Sequence, residues 1–479
     1  MYNHGTKKVK TDSTKKMNIR KVIKSMPSPF RKTLRYVYGM VSPRFRYGKV
    51  FWETYRFLDE SQYWSKDELE EYQFIQLKNL ILHAYENVPF YSKLWKRHNI
   101  NPADIKDFDD FKNKIPFITK DDIRSNIEDL VATNFPAAKK EIVTTSGSTG
   151  EPLSLYLESG YSKPREFAFI ATQWRRIGYK VDDYLIALRG EAMEEGKIFY
   201  KDPSERYSLL SSFYINKDNI KKYYDFLLKS KPYFLHVFPS SLELLSKYFL
   251  EKDYDLTNLP LKGIFCASEK LYDFQRKLFS DLFKVPVYSH YGHTEICVLA
   301  GECEISRDLH VFPEYGYTEI IDSGNNDISE ENSVGEIVAT GFNNNLMPLI
   351  RYRTGDFASI KKNLCRCNRY YKLLKEAIGR SVDFALDANK EMIPIVPLVF
   401  PIHDKYLRDV IRFQLIQEKI GEIEILLHVR DSSDKEIICK NLLADLKSRV
   451  GNRLKFAIRF VAEIPLTKNG KYLYFIKKV

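Results

Sequence analysis

No stretch of eighteen or more apolar residues occurs in the 479-residue chain, and its first thirty residues contain no apolar signal-peptide core. A membrane-spanning helix needs about 20 such residues, so none is expected, and the chain reads as cytoplasmic. Cysteine is scarce, at six residues, and in a cytoplasmic setting this argues against a disulfide framework. Internal repeats, low-complexity tracts and recognisable nucleic-acid motifs are missing too, and no nucleic-acid partner is expected. The Gly-x-x-x-x-Gly-Lys-Ser/Thr phosphate loop is also absent.

Acidic residues are almost missing from residues 1–50, which hold fourteen Lys/Arg against Asp12 alone, in a chain of net charge +12. The basic character is therefore local. Met26, Phe30, Tyr36, Val37, Tyr38, Met40, Phe45, Tyr47 and Phe51 interleave with these cations. Such an arm suits peripheral contact with an anionic membrane on the inner face, where each nearby Lys/Arg adds about 1 kcal/mol. A solvated, disordered start is the alternative reading.

Length and ordinary composition leave room for two or more domains. Ser65-Lys66-Asp67-Glu68 reads as a capping box, and Phe74, Leu77, Ile81 and Ala84 continue at helical spacing until Asn87-Val88-Pro89. Apolar runs at Tyr184–Leu188, Phe234–Phe238 and Gly263–Ala267 alternate with helix-like Asn219–Leu228 and Tyr272–Phe283. This alternation predicts α/β layering with a largely parallel sheet. From His310 onward strands dominate: Val311–Asp322 and Gly335–Gly341, joined by a polar, acidic turn. Further on, Ile411–Gln417, Ile423–Val429, helix-like Ser432–Val450 and the strand Phe456–Val461 predict a small α+β unit. The expected division is an arm (1–60), a large α/β domain (61–380) with mixed sheets and a β-rich section near 303–378, and a small mobile α+β domain (381–479).

Thr144-Thr145-Ser146-Gly147-Ser148-Thr149-Gly150-Glu151-Pro152 combines small hydroxyl residues with glycines. Glycine lets a backbone approach an anion closely, and clustered N–H groups make a concave anion site; an exposed turn is the bland alternative. Tyr291-Gly292-His293-Thr294-Glu295 follows the strand-like Val285–Ser289. There Thr294 offers a hydrogen bond to a phosphate oxygen and Glu295 a hard oxygen for Mg²⁺. Arg351-Tyr352-Arg353-Thr354-Gly355-Asp356 presents a carboxylate able to accept both ribose hydroxyls, or a surface turn with a salt bridge. Gly379-Arg380 and Pro465-Leu466-Thr467-Lys468-Asn469-Gly470-Lys471 complete the set. A lysine on a glycine turn in a mobile domain can bring a cation to a developing phosphate charge and then withdraw.

In this order the five motifs resemble the adenylate-forming enzyme superfamily, and within it the phenylacetate-CoA ligase and CapK-like branch. The resemblance implies two half-reactions: a carboxylate attacks the α-phosphate of ATP to give an acyl-adenylate and pyrophosphate, and an amine or thiol then takes the acyl group. By motif, Thr145, Ser146, Gly147, Ser148, Thr149 and Gly150 would cradle the β- and γ-phosphates. Tyr291, Gly292 and His293 would line the nucleotide site, Thr294 would meet the α-phosphate and Glu295 the Mg²⁺. Asp356 would bind the ribose, Arg380 would lie beside the nucleotide at the hinge, and Lys471 would bridge carboxylate and α-phosphate oxygens, with Lys468 as the competing lysine. The hinge reads Gly379-Arg380-Ser381-Val382-Asp383 where the family commonly has Gly-Arg-x-Asp-Asp.

The resemblance places the acyl pocket between the phosphate loop, Tyr291 and the segment His236-Val237-Phe238-Pro239-Ser240, making His236, Phe238 and Ser240 its candidates. The acid is small, and its acceptor is either a sugar amine in surface (capsular) polysaccharide assembly, as CapK-like relatives suggest, or the thiol of CoA as co-substrate. A non-catalytic nucleotide-binding or scaffolding protein is the rival from another class. Cys365-Arg366-Cys367 sits in a polar, basic loop, and with Cys303 and His310 gives three thiols and one imidazole, the donor set of a closed zinc site. These positions resemble a Cys/His cluster of the branch; two unpaired surface thiols are the alternative.

Overall fold

The computed structural model describes residues 41–479 except 146–152, 191–195, 203–205, 381–383, 396–397, 399–401, 403–408, 468–469 and 471. Helix α1 (Pro43–Ser61) lays Tyr47 and Phe51 against Phe167, with ring centroids 5.5 and 5.4 Å apart. These two aromatics, grouped above with the arm, thus pack inside the body. Helix α2 (Lys66–Asn87) begins with the expected capping box: the Glu68 carboxylate accepts from Ser65 N at 2.8 Å, and Ser65 Oγ accepts from Glu68 N at 3.3 Å. The short helices α3 (Pro89–Arg97), α4 (Phe108–Lys114) and α5 (Lys120–Ser125) follow. Among the described residues, no helix is long and apolar enough to cross a membrane.

Strands β1 (Lys140–Thr144) and β2 (Ser154–Glu158) form an antiparallel hairpin that leads into helix α6 (Ser162–Arg175). The next section, parallel except for its antiparallel edge strand β4, runs β3 (Leu185–Arg189), β4 (Phe199–Asp202), β5 (Tyr207–Ser211), α7 (Ile220–Ser230), β6 (Phe234–Val237), α8 (Pro239–Glu251), β7 (Gly263–Cys266), α9 (Asp273–Phe283) and β8 (Val287–Gly292). Continuously apolar strands are what a sheet covered on both faces requires. Strand β8 continues through Tyr291 and Gly292 rather than ending at Ser289, because those residues pair with Ala300 and Leu299 of β9 (Leu299–Gly301).

At β9 the sheet becomes antiparallel. The expected single strand 311–322 is two, β10 (Leu309–Val311) and β11 (Gly316–Ile321), separated by a turn in which Tyr315 N donates to Phe312 O at 3.1 Å. Pro313 lies within this turn and has no N–H to continue a ladder. With β12 (Val334–Gly341), β13 (Tyr352–Lys361) and β14 (Lys372–Arg380), the sheet has twelve strands in the order β11-β12-β13-β14-β10-β9-β8-β7-β6-β3-β5-β4. Glycines let neighbours close in at this seam: a Cβ on Gly341 would lie 2.8 Å from Cys297 Cα.

The C-terminal part contains β15 (Phe384–Leu386), β16 (Met392–Pro394), β17 (Val410–Lys419), β18 (Glu422–Val429), α10 (Lys435–Val450), β19 (Lys455–Phe460) and β20 (Phe475–Lys477). Its four-stranded sheet has the order β19-β18-β17-β20 and its own apolar cluster around Leu415, Ile425, Leu442 and Leu446. The whole is the large mixed α/β body with a smaller α+β C-terminal part that the sequence predicts.

Helix α8 joins the two parts. Its Lys247 Nζ lies 2.9 Å from Glu243 Oε1, both side chains being almost fully buried, and donates to the carbonyls of Val410 and Ile411 at 3.2 and 3.3 Å. Glu243 Oε2 accepts from Gln275 at 2.9 Å and Tyr474 Oη at 2.6 Å. Removing one member of a buried pair strands the other charge and costs about 3–5 kcal/mol. Lys247→Met should therefore lose that much stability in urea unfolding, and Lys247→Met/Glu243→Gln should regain most of it. A single variant as stable as the parent would contradict this role.

Candidate active site

Parallel sheets bind ligands beyond the carboxyl ends of their strands. Here those ends carry Arg189 (β3), Ser211 (β5), His236 to Phe238 (β6), Ser268 and Glu269 after β7, and Tyr291 and Gly292 (β8). Thr145 closes the β1–β2 hairpin: its N donates to Leu153 O and its Oγ1 accepts from Leu153 N, both at 2.9 Å. Ser146, Gly147, Ser148, Thr149 and Gly150 lie outside the described residues.

Tyr291 Oη donates to Asp356 Oδ2 at 2.7 Å. Burial and the adjacent Asp356 carboxylate push the Tyr291 phenol well above its ordinary range, so the phenol keeps its proton and donates. Asp356 N donates to Thr354 Oγ1 at 3.0 Å, and Asp356 sits opposite Arg380 in the β13–β14 ladder. Gly355 just before it has φ +74°, a left-handed conformation that favours glycine, and its N donates to Glu336 at 3.1 Å. Strands β8 and β13 stand four steps apart in the sheet order. A flat sheet would separate them by about 19 Å, so the antiparallel half curls back to close this bond.

Behind Tyr291 the chain turns through His293 and Thr294. Thr294 is exposed, whereas Glu295 is buried and accepts from Tyr352 Oη at 2.9 Å, with His293 Nδ1 3.3 Å from its other oxygen. Burial pushes the Glu295 carboxyl up, but His293, a backbone N–H and the Tyr352 hydroxyl outweigh it and hold the group at about 2. It is ionised and therefore a competent hard-oxygen donor. Ile296, which ends the turn, has φ +49°, an uncommon conformation for a β-branched residue and a mark of a turn held by its surroundings.

Arg351 is an anchor rather than a surface residue: it grips Glu319 through Nε and Nη2 at 3.1 and 2.8 Å and stacks its guanidinium 4.0 Å from the Phe117 ring centroid. Of the acyl-pocket candidates, His236 and Phe238 are buried at the end of β6. Ser240 instead binds Glu269, its N and Oγ each donating at 3.0 Å. Glu269 also accepts from Tyr472 N at 3.4 Å, tying the C-terminal segment to this edge. Gly470, at φ +67°, accepts from Ser212 Oγ at 3.1 Å, and a Cβ there would lie 2.2 Å from Gly190 Cα. Lys468 and Lys471 lie outside the described residues; the side chain of Arg380 is not described.

Sequence reasoning missed Arg189, Glu269 and His290. Each is a polar residue at the end of a buried apolar run, and that position alone was the available signal.

Cys303, His310, Cys365 and Cys367 come together with all four donor atoms within 4.8 Å of one another. Cys303 and Cys365 Sγ are 3.7 Å apart, and Cys367 Sγ is 3.2 Å from His310 Nε2. Tetrahedral zinc with Zn–S near 2.3 Å sets its sulfurs about 3.8 Å apart, which this cluster fits. His310 Nδ1 is 2.9 Å from Asp308 O, which turns Nε2 toward the thiols, and Cys303 Sγ accepts from Ile305 N and Ser306 N at 3.3 and 3.1 Å.

The twelve-stranded sheet thus carries the Tyr291–Asp356 bond, and Gly470 of the smaller C-terminal part docks at the carboxyl ends of its strands, an arrangement that fits the adenylate-forming class the five motifs imply. The comparisons with known proteins give the same class and refine it. Residues 389–478 match the CapK C-terminal domain family. Protein CapK of Staphylococcus aureus is 27% identical over 95% of this chain and 98% of its own length. Phenylacetate-coenzyme A ligase of Thermus thermophilus is 22% identical over 85% of this chain and 94% of its own. The chain is an adenylate-forming enzyme related to CapK and to the phenylacetate-coenzyme A ligases.

Among solved structures, 2-hydroxyisobutyryl-CoA ligase with 2-HIB-AMP in its postadenylation state superposes with a TM-score of 0.72 at 17% identity, covering 88% of this chain and 92% of that one. The same enzyme gives 0.55 in an open conformation and 0.56 in its thioesterification state.

Because folding lowers the Glu295 pKa, ionised Glu295 contributes stability above its unfolded value near 4.5, and that contribution fades as pH falls toward about 2. The stability difference between the parent and Glu295→Gln should thus shrink in urea unfolding series taken from pH 6 down to 3. A pH-independent difference would contradict the assignment of Glu295 as a depressed carboxylate.

Proposed function

We propose that the chain uses ATP to activate a small carboxylic acid as its acyl-adenylate and then passes the acyl group to the thiol of CoA. The observation that carries this reading is the Tyr291–Asp356 bond of 2.7 Å beside Arg380 in register. In this reading Asp356 is the carboxylate that would bind the ribose, and the bond ties it to the strand that leads into the turn with Thr294 and Glu295. In the first half-reaction a carboxylate oxygen bonds to the α-phosphorus as the bond to pyrophosphate breaks. In the second, the thiolate attacks the acyl carbonyl and AMP leaves. Neither half needs a protein nucleophile, because positioning and charge stabilisation carry adenylyl transfer.

In this reading Thr145 to Gly150 hold the β- and γ-phosphates, Thr294 the α-phosphate and Asp356 the ribose hydroxyls. Glu295 supplies an oxygen to Mg²⁺, which would neutralise phosphate charge when bound. Lys471 brings its ammonium to the reacting oxygens, and residues 381–479 act as a small domain that docks for adenylation and turns away for acyl transfer. The docking of Gly470 on Gly190 supports the first position. A thiol acceptor is favoured by the phenylacetate-coenzyme A ligases among the relatives. An amine acceptor, such as an amino sugar in polysaccharide assembly, is the second reading, favoured by the end-to-end match with CapK. In that setting the basic residues that precede helix α1 would rest on an anionic membrane.

Lys471→Ala should reduce carboxylate-dependent pyrophosphate exchange at least a hundredfold while a preformed acyl-adenylate is still transferred; undiminished exchange would overturn the lysine's role. CoA should accelerate AMP release more than an amine panel does, and the reverse order would select the second reading.

The Cys/His cluster is read as a structural zinc site. Metal analysis should find about one zinc per chain, the count expected of a closed four-ligand site. Cys365→Ser should lower both zinc content and Tm. A zinc-free protein, with that variant melting like the parent, would refute the site.

A further inference from the structure

Arg189 ends strand β3 on the sheet face covered by α6. Ala187, two residues earlier, pairs with His236, which pairs with Phe265, which pairs with Tyr288. Because side chains alternate along a strand, Arg189, His236, Phe238 and His290 all lie on this one face, at its carboxyl edge. Trp174 of α6 walls it, stacked 4.3 Å from Phe265 and edge-on 4.9 Å from His236. Arg189 Nη2 lies 2.6 Å from Nδ1 and 2.9 Å from Nε2 of His236. Its Nε is buried and has no hydrogen-bond partner. Among the described residues no carboxylate pairs with this guanidinium.

Burial, with the Arg189 charge next, holds the His236 imidazole well below its ordinary range, and the same two causes bring His290 to about 4. Both rings are therefore neutral near pH 7, and Arg189 is the single charge of the cluster. Arg189 is half-buried, and a charge with no counter-charge among the described residues is expensive to hold between aromatic walls. Docking of the C-terminal turn on Gly190, the next residue, covers it further.

We propose that Arg189 is the far end of the acid-binding pocket and selects a carboxylic acid that carries a second carboxylate. This rests on the adenylation reading above, in which the reacting carboxylate lies by Tyr291 and Thr294. Strand β3 is three steps from β8 in the sheet order, about 14 Å, and the Arg189 side chain reaches back over β6 to shorten that span. One guanidinium matches one distal carboxylate in charge and in fork geometry, whereas a phosphate would leave negative charge in excess. Neutral His236 orients the guanidinium and adds no second cation, and Phe238 and Trp174 pack on the methylenes between the two carboxylates.

The test compares short dicarboxylates with their monoamides, succinate with succinamate and glutarate with glutaramate, by acid-dependent pyrophosphate exchange on the full chain. The parent should prefer the diacid at least tenfold in kcat/KM. Arg189→Met should bring the ratio to about one by raising the KM for the diacid, with the KM for ATP unchanged, while Arg189→Lys retains part of the preference. A parent that treats diacid and monoamide alike, or exchanges only with neutral acids, overturns the proposal and leaves adenylation standing. So does an unchanged ratio in Arg189→Met. Absence of exchange with every acid overturns the adenylation reading and this inference with it. The parent ratio decides even if the methionine variant does not fold.

Discussion

The hydrogen bond from Tyr291 to Asp356 requires the twelve-stranded sheet to curl. Its two ends lie on β8, the last strand of the parallel section, and on β13, in the middle of the antiparallel section. Only a sheet that coils back across β9, β10 and β14 brings these side chains to 2.7 Å. The curl explains the glycines at the seam, where Gly316 and Gly341 press against the backbone of Cys297. It also explains why Ile296 is held at positive φ, since the turn after β8 must leave one half of the sheet and enter the other within a few residues.

Buried charges hold this shape with partners chosen for geometry. Arg351 clamps Glu319 while standing on Phe117, Arg276 clamps Glu302 beneath β8, and Lys247 with Glu243 fastens the C-terminal sheet to α8. Each pair satisfies its charges within the fold, so none is available for chemistry. The contrast sets apart Glu295, an ionised carboxylate facing a turn with an exposed threonine, and Arg189, a guanidinium resting on a neutral imidazole.

Local order was legible in the sequence. The Ser65–Glu68 reciprocal bonds, the apolar runs of β3, β6 and β7, and the β17–β18 pair are governed by residues close in the chain, and the structure has them where the pattern does. Boundaries set by distant partners were not legible. Strand β8 runs on to Gly292 because β9 pairs with it, and the apolar stretch after His310 breaks because Pro313 and the Phe312–Tyr315 turn reverse it. The four zinc-type ligands were visible by residue type, and pairing of β10 with β14 brings them together. Of the Arg189, His236 and His290 cluster only His236 was singled out, through the resemblance, and nothing in the sequence joined the three. Its members sit on three strands that meet only through lateral pairing, and each residue alone is an ordinary end to a buried strand.

The claim that the curled sheet builds one nucleotide site is tested most directly by a double-mutant cycle on Tyr291→Phe and Asp356→Asn, read as kcat/KM for ATP in acid-dependent pyrophosphate exchange. Two groups that share a hydrogen bond in one site couple by about 0.5–3 kcal/mol, so the double variant should be impaired much less than the sum of the singles. Strictly additive losses, or singles with unaltered ATP dependence, would contradict the account.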